Sequence, residues 1–118
     1  MTEDELLIGV TDLLTAGKWR WVHFRRSDKA KMMGHAGLPD IIAVSSSRHR
    51  LIFAELKGSH GRTEPEQRDW LFELEDVAGV RIDVATNRLG FTTGPRLPEV
   101  YLWRPLDWLN GTIDRALR

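Results

Sequence analysis

The stretch DIIAVSSSRHRLIFAELK, which spans residues 40–57, carries the strongest structural signal of this sequence. Two apolar runs, Asp40–Val44 and Leu51–Leu56, lie on either side of a polar connection at Ser45–Arg50. Short runs rich in isoleucine, valine and phenylalanine that are separated by polar residues are typical of a β-hairpin. The sequence therefore predicts two antiparallel strands joined by a longer turn.

The pairing of these two strands brings charged residues together. A turn centred between Ser47 and Arg48 places Asp40 opposite Glu55, and directly opposed residues have Cβ atoms about 4.5–5.5 Å apart on one face of a sheet. Two carboxylates at that separation repel each other unless a positive charge lies between them. Because strand side chains alternate, Lys57 is expected on the same face as Glu55.

A single divalent cation bound between the two carboxylates is the simplest way to offset their repulsion. The chain has no cysteine and only scattered histidines, which removes the ligands that zinc prefers, whereas oxygen ligands suit Mg²⁺ or Mn²⁺. Such a metal lowers the pKa of a bound water, and a nearby lysine orients that water or stabilises the developing charge. The pattern therefore predicts phosphodiester hydrolysis at Asp40, Glu55 and Lys57.

Capping patterns and apolar periodicity predict the elements around the hairpin. Thr2 and Glu5, and again Thr63 and Glu66, have the spacing of capping boxes at helix N-termini. The predicted elements are, in order, a helix from Thr2 to Gly17, strands at Trp19–Arg25, Asp40–Val44 and Leu51–Leu56, a helix from Thr63 to Gly79, strands at Val80–Thr86 and Glu99–Trp103, and a helix at Pro105–Leu117. This α-β-β-β-α-β-β-α order predicts an α/β fold in which helices flank a mixed sheet.

Length and composition limit the class of protein. At 118 residues the chain is expected to form a single domain over residues 1–118. The lack of cysteine excludes a disulfide scaffold, an iron–sulfur site and a thiol nucleophile. No apolar run approaches the roughly 20 residues of a membrane span, and the acidic start Met1–Glu5 is unlike a signal peptide. A soluble cytoplasmic protein without membrane contact is the simplest interpretation.

Three short motifs carry a resemblance to a known family. Gly37-Leu38-Pro39-Asp40, Glu55-Leu56-Lys57 and Gln67 resemble the PD-(D/E)xK nuclease superfamily, most closely its virus-type replication-repair nuclease (VRR-NUC) branch. That branch has a restriction-endonuclease-like α-β-β-β-α-β core, with a glutamate in the first helix, G-x-P-D at the hairpin, E-x-K on the next strand and a glutamine early in the second helix. The segments Trp103-Arg104-Pro105 and Asp107-Trp108 also match, so the resemblance covers nearly the whole chain.

The resemblance implies an active site, a cofactor and a bacterial or phage-encoded protein. The implied catalytic residues are Glu5, Asp40, Glu55, Lys57 and Gln67, and the implied ligands of Mg²⁺ or Mn²⁺ are Glu5, Asp40, Glu55 and the Leu56 carbonyl. Glu3 and Asp4 lie beside Glu5, so the first-helix carboxylate of the site is one of these three. Glu5 also has a capping role available to it.

Basic residues lead into the predicted metal site. The segment Lys18–Lys31 contains six basic residues against one acidic residue, although the whole chain has 17 of each. Because this segment runs towards the Gly37–Asp40 turn, its phosphate contacts would position DNA without reading the base sequence. The predicted DNA-binding residues are Arg25, Arg26, Lys29, Lys31, His35 and Arg62.

The leading hypothesis is a small endonuclease that cuts branched DNA, such as a four-way (Holliday) junction, as a homodimer. Two-fold symmetry suits a symmetric cut of two strands. The first alternative is a restriction-like or nicking nuclease that acts on duplex DNA, and the second is a non-catalytic DNA-binding module that retains the fold. The insertion Asn87–Pro98, rich in Gly, Pro and Thr, is either a substrate-contacting hairpin or a tolerated loop.

Overall fold

The computed structural model describes residues 1–24, 33–77, 80–83, 88–91 and 98–118. The helices are α1 (Glu3–Ala16), α2 (Pro65–Val77), α3 (Pro105–Leu109) and α4 (Thr112–Ala116). The strands are β1 (Arg20–His23), β2 (Ile41–Ser45), β3 (Arg50–Leu56), β4 (Val80–Asp83), β5 (Arg88–Phe91) and β6 (Glu99–Trp103). Within these ranges no helix is both long and apolar enough to cross a membrane.

A four-stranded mixed sheet in the order β1-β2-β3-β6 organises the fold. β2 runs antiparallel to β1 and to β3, whereas β6 runs parallel to β3. Ile41 pairs with Ala54 and Ser45 pairs with Arg50, which is the register expected from a turn centred between Ser47 and Arg48. The predicted mixed sheet with flanking helices is therefore confirmed.

One face of the sheet packs against α1 and forms the hydrophobic core. Alternate strand side chains point to this face, and the apolar residues of α1 recur at the three- and four-residue spacing of one helix face. The buried core residues are Leu6, Val10, Leu14, Trp19, Ile41, Ala43, Ile52, Ala54, Leu56, Trp103, Ile113 and Leu117. Because Ala54 and Leu56 face this core, strand alternation places Glu55 and Lys57 on the opposite face.

An ion pair at the start of β3 ties the C-terminal residues to the sheet. Arg50 donates through Nε and Nη2 to the two carboxylate oxygens of Glu99, each at 2.6 Å. The Tyr101 hydroxyl donates to the same carboxylate at 2.6 Å, and Arg50 Nη1 donates to the carbonyl of Arg118 at 3.2 Å. Burial, together with the hydrogen bond to Glu99, raises the pKa of Tyr101 to about 12.

Three predicted elements differ from the structure. The helix predicted at Pro105–Leu117 is divided into α3 and α4, because Gly111 adopts a left-handed φ of +81°. The insertion Asn87–Pro98 contains β5, which pairs with β4 in a separate two-stranded sheet and has too little apolar alternation to be recognised. β1 ends at His23, and Arg25, the predicted end of that strand, lies outside the described residues.

Candidate active site

Glu55 lies at the centre of a group of polar side chains at the end of β3. It is only 1% exposed, on the face of the sheet that points away from α1. Lys57 Nζ lies 3.7 Å from Glu55 Oε1, and Gln67 Nε2 donates to the same oxygen at 3.0 Å. Lys57 is also buried, at 8% exposure. The structure therefore brings three of the sequence-predicted residues into direct contact.

Asp40 joins this group from the neighbouring strand. It directly precedes β2, and continuation of the β2–β3 register places it opposite Glu55. Asp40 Oδ2 accepts a hydrogen bond from the backbone amide of Leu56 at 3.0 Å, and the Asp40 carbonyl accepts one from the amide of Phe24 at 2.8 Å. The first bond orients the Asp40 carboxylate and the second holds the Asp40 backbone at the strand end that carries Glu55.

Gln67 connects the group to the N-terminus of α2. While its Nε2 donates to the buried carboxylate, its Oε1 accepts a hydrogen bond from the backbone amide of Glu64 at 2.8 Å. A side-chain amide can take both roles because it carries a donor and an acceptor. The capping box expected between Thr63 and Glu66 is therefore wrong, since the helix begins at Pro65 and Gln67 provides the capping oxygen.

Gly37 allows the turn before Asp40 to approach α2 closely. Its φ is +97°, a conformation that residues with a side chain rarely adopt. A Cβ at this position would lie 2.5 Å from the carbonyl carbon of Glu66 and 2.7 Å from the amide nitrogen of Gln67. A larger residue would therefore push the turn away from the helix that carries Gln67.

The carboxylates of α1 divide between two locations. Glu5 Oε1 accepts a hydrogen bond from the amide of Thr2 at 3.0 Å, and Thr2 Oγ1 accepts one from the amide of Glu5 at 3.1 Å, so this capping box is confirmed. The bond from the Thr2 backbone, followed by the Thr2 hydroxyl, lowers the pKa of Glu5. Glu3 and Asp4 instead line a cleft of about 270 Å³ together with Asp40.

The oxygen donors at the strand ends are chemically suited to a hard divalent metal. Asp40 and Glu55 supply carboxylates, and the Leu56 carbonyl lies between Glu55 and Lys57 in the chain. Mg²⁺ is usually bound by one or two carboxylates and keeps several waters, so this donor set fits it. Among the described residues, no three His, Cys, Asp or Glu side chains form a metal-binding cluster. Water and substrate oxygens would therefore have to complete the coordination.

The predicted DNA-binding residues are only partly described. Arg25, Arg26, Lys29 and Lys31 lie outside the described residues. His35 and Arg62 are exposed, and the His35 carbonyl accepts a hydrogen bond from Trp70 Nε1 at 3.2 Å. His35 also lines a groove of about 670 Å³ whose carboxylates come from Glu66, Asp69, Glu73 and Asp76. Because carboxylates repel phosphates, this groove is a poor path for DNA.

Two residues beside the site have structural tasks that the sequence did not predict. Gly37 sets the distance between the turn and α2, and Arg104 Nη1 donates to the carbonyls of Gly58 and Gly61 at 2.8 and 2.7 Å. Both residues belong to motifs that carry the family resemblance, Gly37 to G-x-P-D and Arg104 to W-R-P. These motifs were the sequence signal that could have drawn attention to the two positions. Neither motif shows by itself what its residue contacts.

Comparisons with known proteins bear on the fold. No family model matches this sequence, and no curated protein matches it either. A solved structure described as a "VRR_NUC domain protein" aligns with a TM-score of 0.56 and 16% sequence identity, covering 100% of this chain and 91% of that chain. At such low identity the likeness concerns the fold alone. The chain is therefore similar in fold, along its whole length, to a VRR_NUC domain protein.

Proposed function

We propose that this chain is a metal-dependent endonuclease that hydrolyses phosphodiester bonds in DNA. The observation that carries the proposal is the buried Glu55 carboxylate in contact with Lys57 and Gln67, beside Asp40 of the neighbouring strand. Burying a charged carboxylate costs free energy, and such groups cluster at functional sites. The fold likeness to a VRR_NUC domain protein supports a nuclease-like domain.

Each residue of the group has a task in this proposal. Asp40, Glu55 and the Leu56 carbonyl would hold Mg²⁺ or Mn²⁺, which would supply Lewis-acid stabilisation of the phosphate and acidify the attacking water. Lys57 Nζ donates a hydrogen bond to the attacking water or to a phosphate oxygen, where charge develops. Gln67 keeps the Glu55 carboxylate in position. Water displaces the sugar oxygen directly, so no covalent enzyme intermediate forms.

A carboxylate from α1 would reach this metal only through a bridging water or a shift of the helix start, because no three such side chains cluster among the described residues. Glu3 and Asp4 share a cleft with Asp40, whereas Glu5 is engaged in the capping box. Calorimetric titration with Mn²⁺ would compare Glu3→Gln, Asp4→Asn and Glu5→Gln. Weaker binding in one of the first two variants, with Glu5→Gln unchanged, would assign the ligand to the cleft, and the reverse pattern would assign it to Glu5.

Branched DNA and a homodimer are the finer parts of the proposal. Arg25, Arg26, Lys29, Lys31 and Arg62 would contact phosphates near the site, and phosphate contacts select shape over base sequence. Two copies related by two-fold symmetry would place two such sites on the two strands of a symmetric junction. A molecular mass of one chain by size exclusion with light scattering would overturn the dimer.

The activity is tested with Lys57→Ala and a matched control, Arg115→Ala, which removes an exposed basic side chain of α4. Each protein is incubated with end-labelled four-way junction, flap and linear duplex in Mg²⁺, Mn²⁺ or EDTA, and products are resolved on a denaturing gel. Cleavage that requires metal, is retained in the control and falls to a small residual rate in Lys57→Ala is the expected result.

The products also separate the alternative substrates. Symmetric cuts near the junction centre support a resolvase-like enzyme, whereas preferred cutting of linear duplex supports a restriction-like or nicking nuclease. If no substrate is cut and calorimetry detects no binding of Mg²⁺ or Mn²⁺, the nuclease proposal is refuted, and a non-catalytic DNA-binding module replaces it.

A further inference from the structure

Arg104 follows β6 and reaches across to the turn that follows β3. Its Nη1 donates to the carbonyl of Gly58 at 2.8 Å and to the carbonyl of Gly61 at 2.7 Å. Hydrogen bonds from a charged donor are roughly twice as strong as neutral ones. One guanidinium therefore joins both ends of the turn at residues 58–61.

This turn packs against the side chain of Lys57. A Cβ built at Gly61 would lie 3.5 Å from Lys57 Cδ and 3.7 Å from Lys57 Cβ, so the Gly61 backbone lies alongside the aliphatic part of the lysine. The Gly61 amide donates to the Gly58 carbonyl at 3.3 Å, and the Lys57 amide donates to the Trp103 carbonyl at 3.0 Å. Parallel pairing of β3 with β6 thus brings Arg104 and Lys57 side by side.

The backbone and the side chain of Arg104 are both held in place. Its backbone amide donates to Asp107 Oδ2 at 2.8 Å at the start of α3, and its side chain is half-buried. Within the described part of the chain it forms no ion pair with a carboxylate. Its charge is directed at two carbonyls of the turn, which is an arrangement that holds backbone in place.

We propose that Arg104 is a positioning residue for Lys57. It holds the turn at residues 58–61 against the lysine, so that Nζ stays near Glu55 and the reacting phosphate. This inference rests on the proposed nuclease function. Because a displacement of about 1 Å can lower a catalytic rate about 100-fold, loss of the Arg104 contacts is expected to lower the cleavage rate by about 10- to 100-fold.

The kinetic test compares Arg104→Gln, Arg104→Lys and the exposed control Arg115→Gln in single-turnover cleavage of a labelled four-way junction with Mn²⁺. Arg104→Gln is expected to lower the rate constant with little change in DNA affinity. Arg104→Lys should recover part of the rate, because the ammonium can donate to one carbonyl, and Arg115→Gln should cleave like the wild type. An unchanged rate in Arg104→Gln would overturn the proposal.

A double-mutant cycle with Lys57→Ala separates positioning from a general structural effect. If Arg104 acts through Lys57, then Arg104→Gln has no further effect on the residual rate once the lysine is absent. An equal loss in both backgrounds would show that Arg104 acts by another route, and would refute the inference.

Amide hydrogen exchange gives a readout that does not depend on cleavage. Arg104→Gln, or Arg104→Lys if the glutamine variant does not fold, is expected to speed exchange at Gly61 at least about 10-fold while the Lys57 amide keeps its protection. Unchanged exchange at Gly61 would show that Arg104 does not hold the turn at residues 58–61, an arrangement that we call the Arg104 clamp, and would refute the inference. If exchange responds as expected but the wild-type protein neither cleaves DNA nor binds metal, the nuclease proposal fails and the clamp stands as a structural contact.

Discussion

Replacing Gly37 with alanine is expected to weaken both the fold and the candidate site. The added Cβ would lie 2.5 Å from the Glu66 carbonyl carbon and 2.6 Å from the Glu66 oxygen, whereas carbon atoms pack at about 3.5–4.0 Å. The turn and the start of α2 must therefore separate by about 1 Å. The φ of +97° adds backbone strain for any residue that has a side chain.

The expected loss of stability combines these two effects. A left-handed backbone costs a non-glycine residue about 1–2 kcal/mol, and overpacking of a close contact costs about 1–3 kcal/mol. The free energy of unfolding of Gly37→Ala should therefore fall by about 2–5 kcal/mol. The same separation would stretch the 3.0 Å hydrogen bond from Gln67 to Glu55, and the cleavage rate should fall by up to about 100-fold.

Gly34→Ala is the matched control for the backbone term. Gly34 has a φ of +101°, but a Cβ there would meet nothing within 4 Å. Gly34→Ala would have the backbone strain of a positive φ, but its Cβ would not collide with other atoms. Its free energy of unfolding should therefore fall by about 1–2 kcal/mol, and its cleavage rate should stay the same. Urea unfolding followed by tryptophan fluorescence measures the stability of both variants, and single-turnover cleavage measures the site.

Two results would refute this reasoning. Equal unfolding free energies for Gly37→Ala and Gly34→Ala would show that the close approach to α2 has no energetic consequence. A destabilised Gly37→Ala protein that cleaves at the rate of the Gly34→Ala protein would show that Gly37 does not set the position of Gln67.

Three further predictions concern titration and DNA binding. Tyr101 is the single tyrosine of the chain, and its ultraviolet absorbance should titrate near a pKa of about 12. Because the folded state favours the neutral phenol, the stability of the fold should decrease as the pH rises above about 10. A titration midpoint near the ordinary pKa of tyrosine would contradict this prediction. Because the fold lowers the pKa of Glu5, this carboxylate stabilises the folded state at pH values above its unfolded pKa. That stabilisation is lost as the pH falls through the folded pKa. The stability difference between wild type and Glu5→Gln should therefore disappear in acid, and a difference independent of pH would be the contrary result. Replacing Arg25 and Arg26 with alanine should weaken DNA binding and reduce the slope of log Kd against log salt by about 1–2, whereas an unchanged slope would exclude both residues from phosphate contact.

The central hairpin could be predicted from sequence because its information is local. Strand side chains alternate with a period of two, so a register that is wrong by one residue would bury charge and expose the apolar face. The apolar positions Ile41, Ala43, Ile52 and Ala54 therefore exclude a slip of one residue, and the turn centred between Ser47 and Arg48 selects the pairing that the structure has. Given that register, the shared face of Glu55 and Lys57 followed from geometry alone.

The capping residues show where local patterns stop being sufficient. Thr2 and Glu5 form the predicted box, because both members lie within one helical turn and nothing competes for them. In α2 the same spacing at Thr63 and Glu66 did not form a box, since the Gln67 side chain caps the helix while it also bonds Glu55. The helix begins at Pro65, a residue type favoured at the first helical position, and what the local pattern could not show is that the capping side chain of Gln67 also reaches β3.

The features around the site also separate into those that local sequence patterns predict and those that depend on tertiary packing. Periodicity and spacing along the chain were enough to assign the strand pairing, the core face of the sheet and the charged face at its end. The closeness of Gly37 to α2, the position of Glu3 and Asp4 beside Asp40 at the cleft, and the reach of Arg104 to the turn at residues 58–61 depend on how separate elements pack. Those distances are set by side-chain volumes and by the parallel pairing of β3 with β6, which are properties of the assembled fold, because no local stretch of sequence contains both partners.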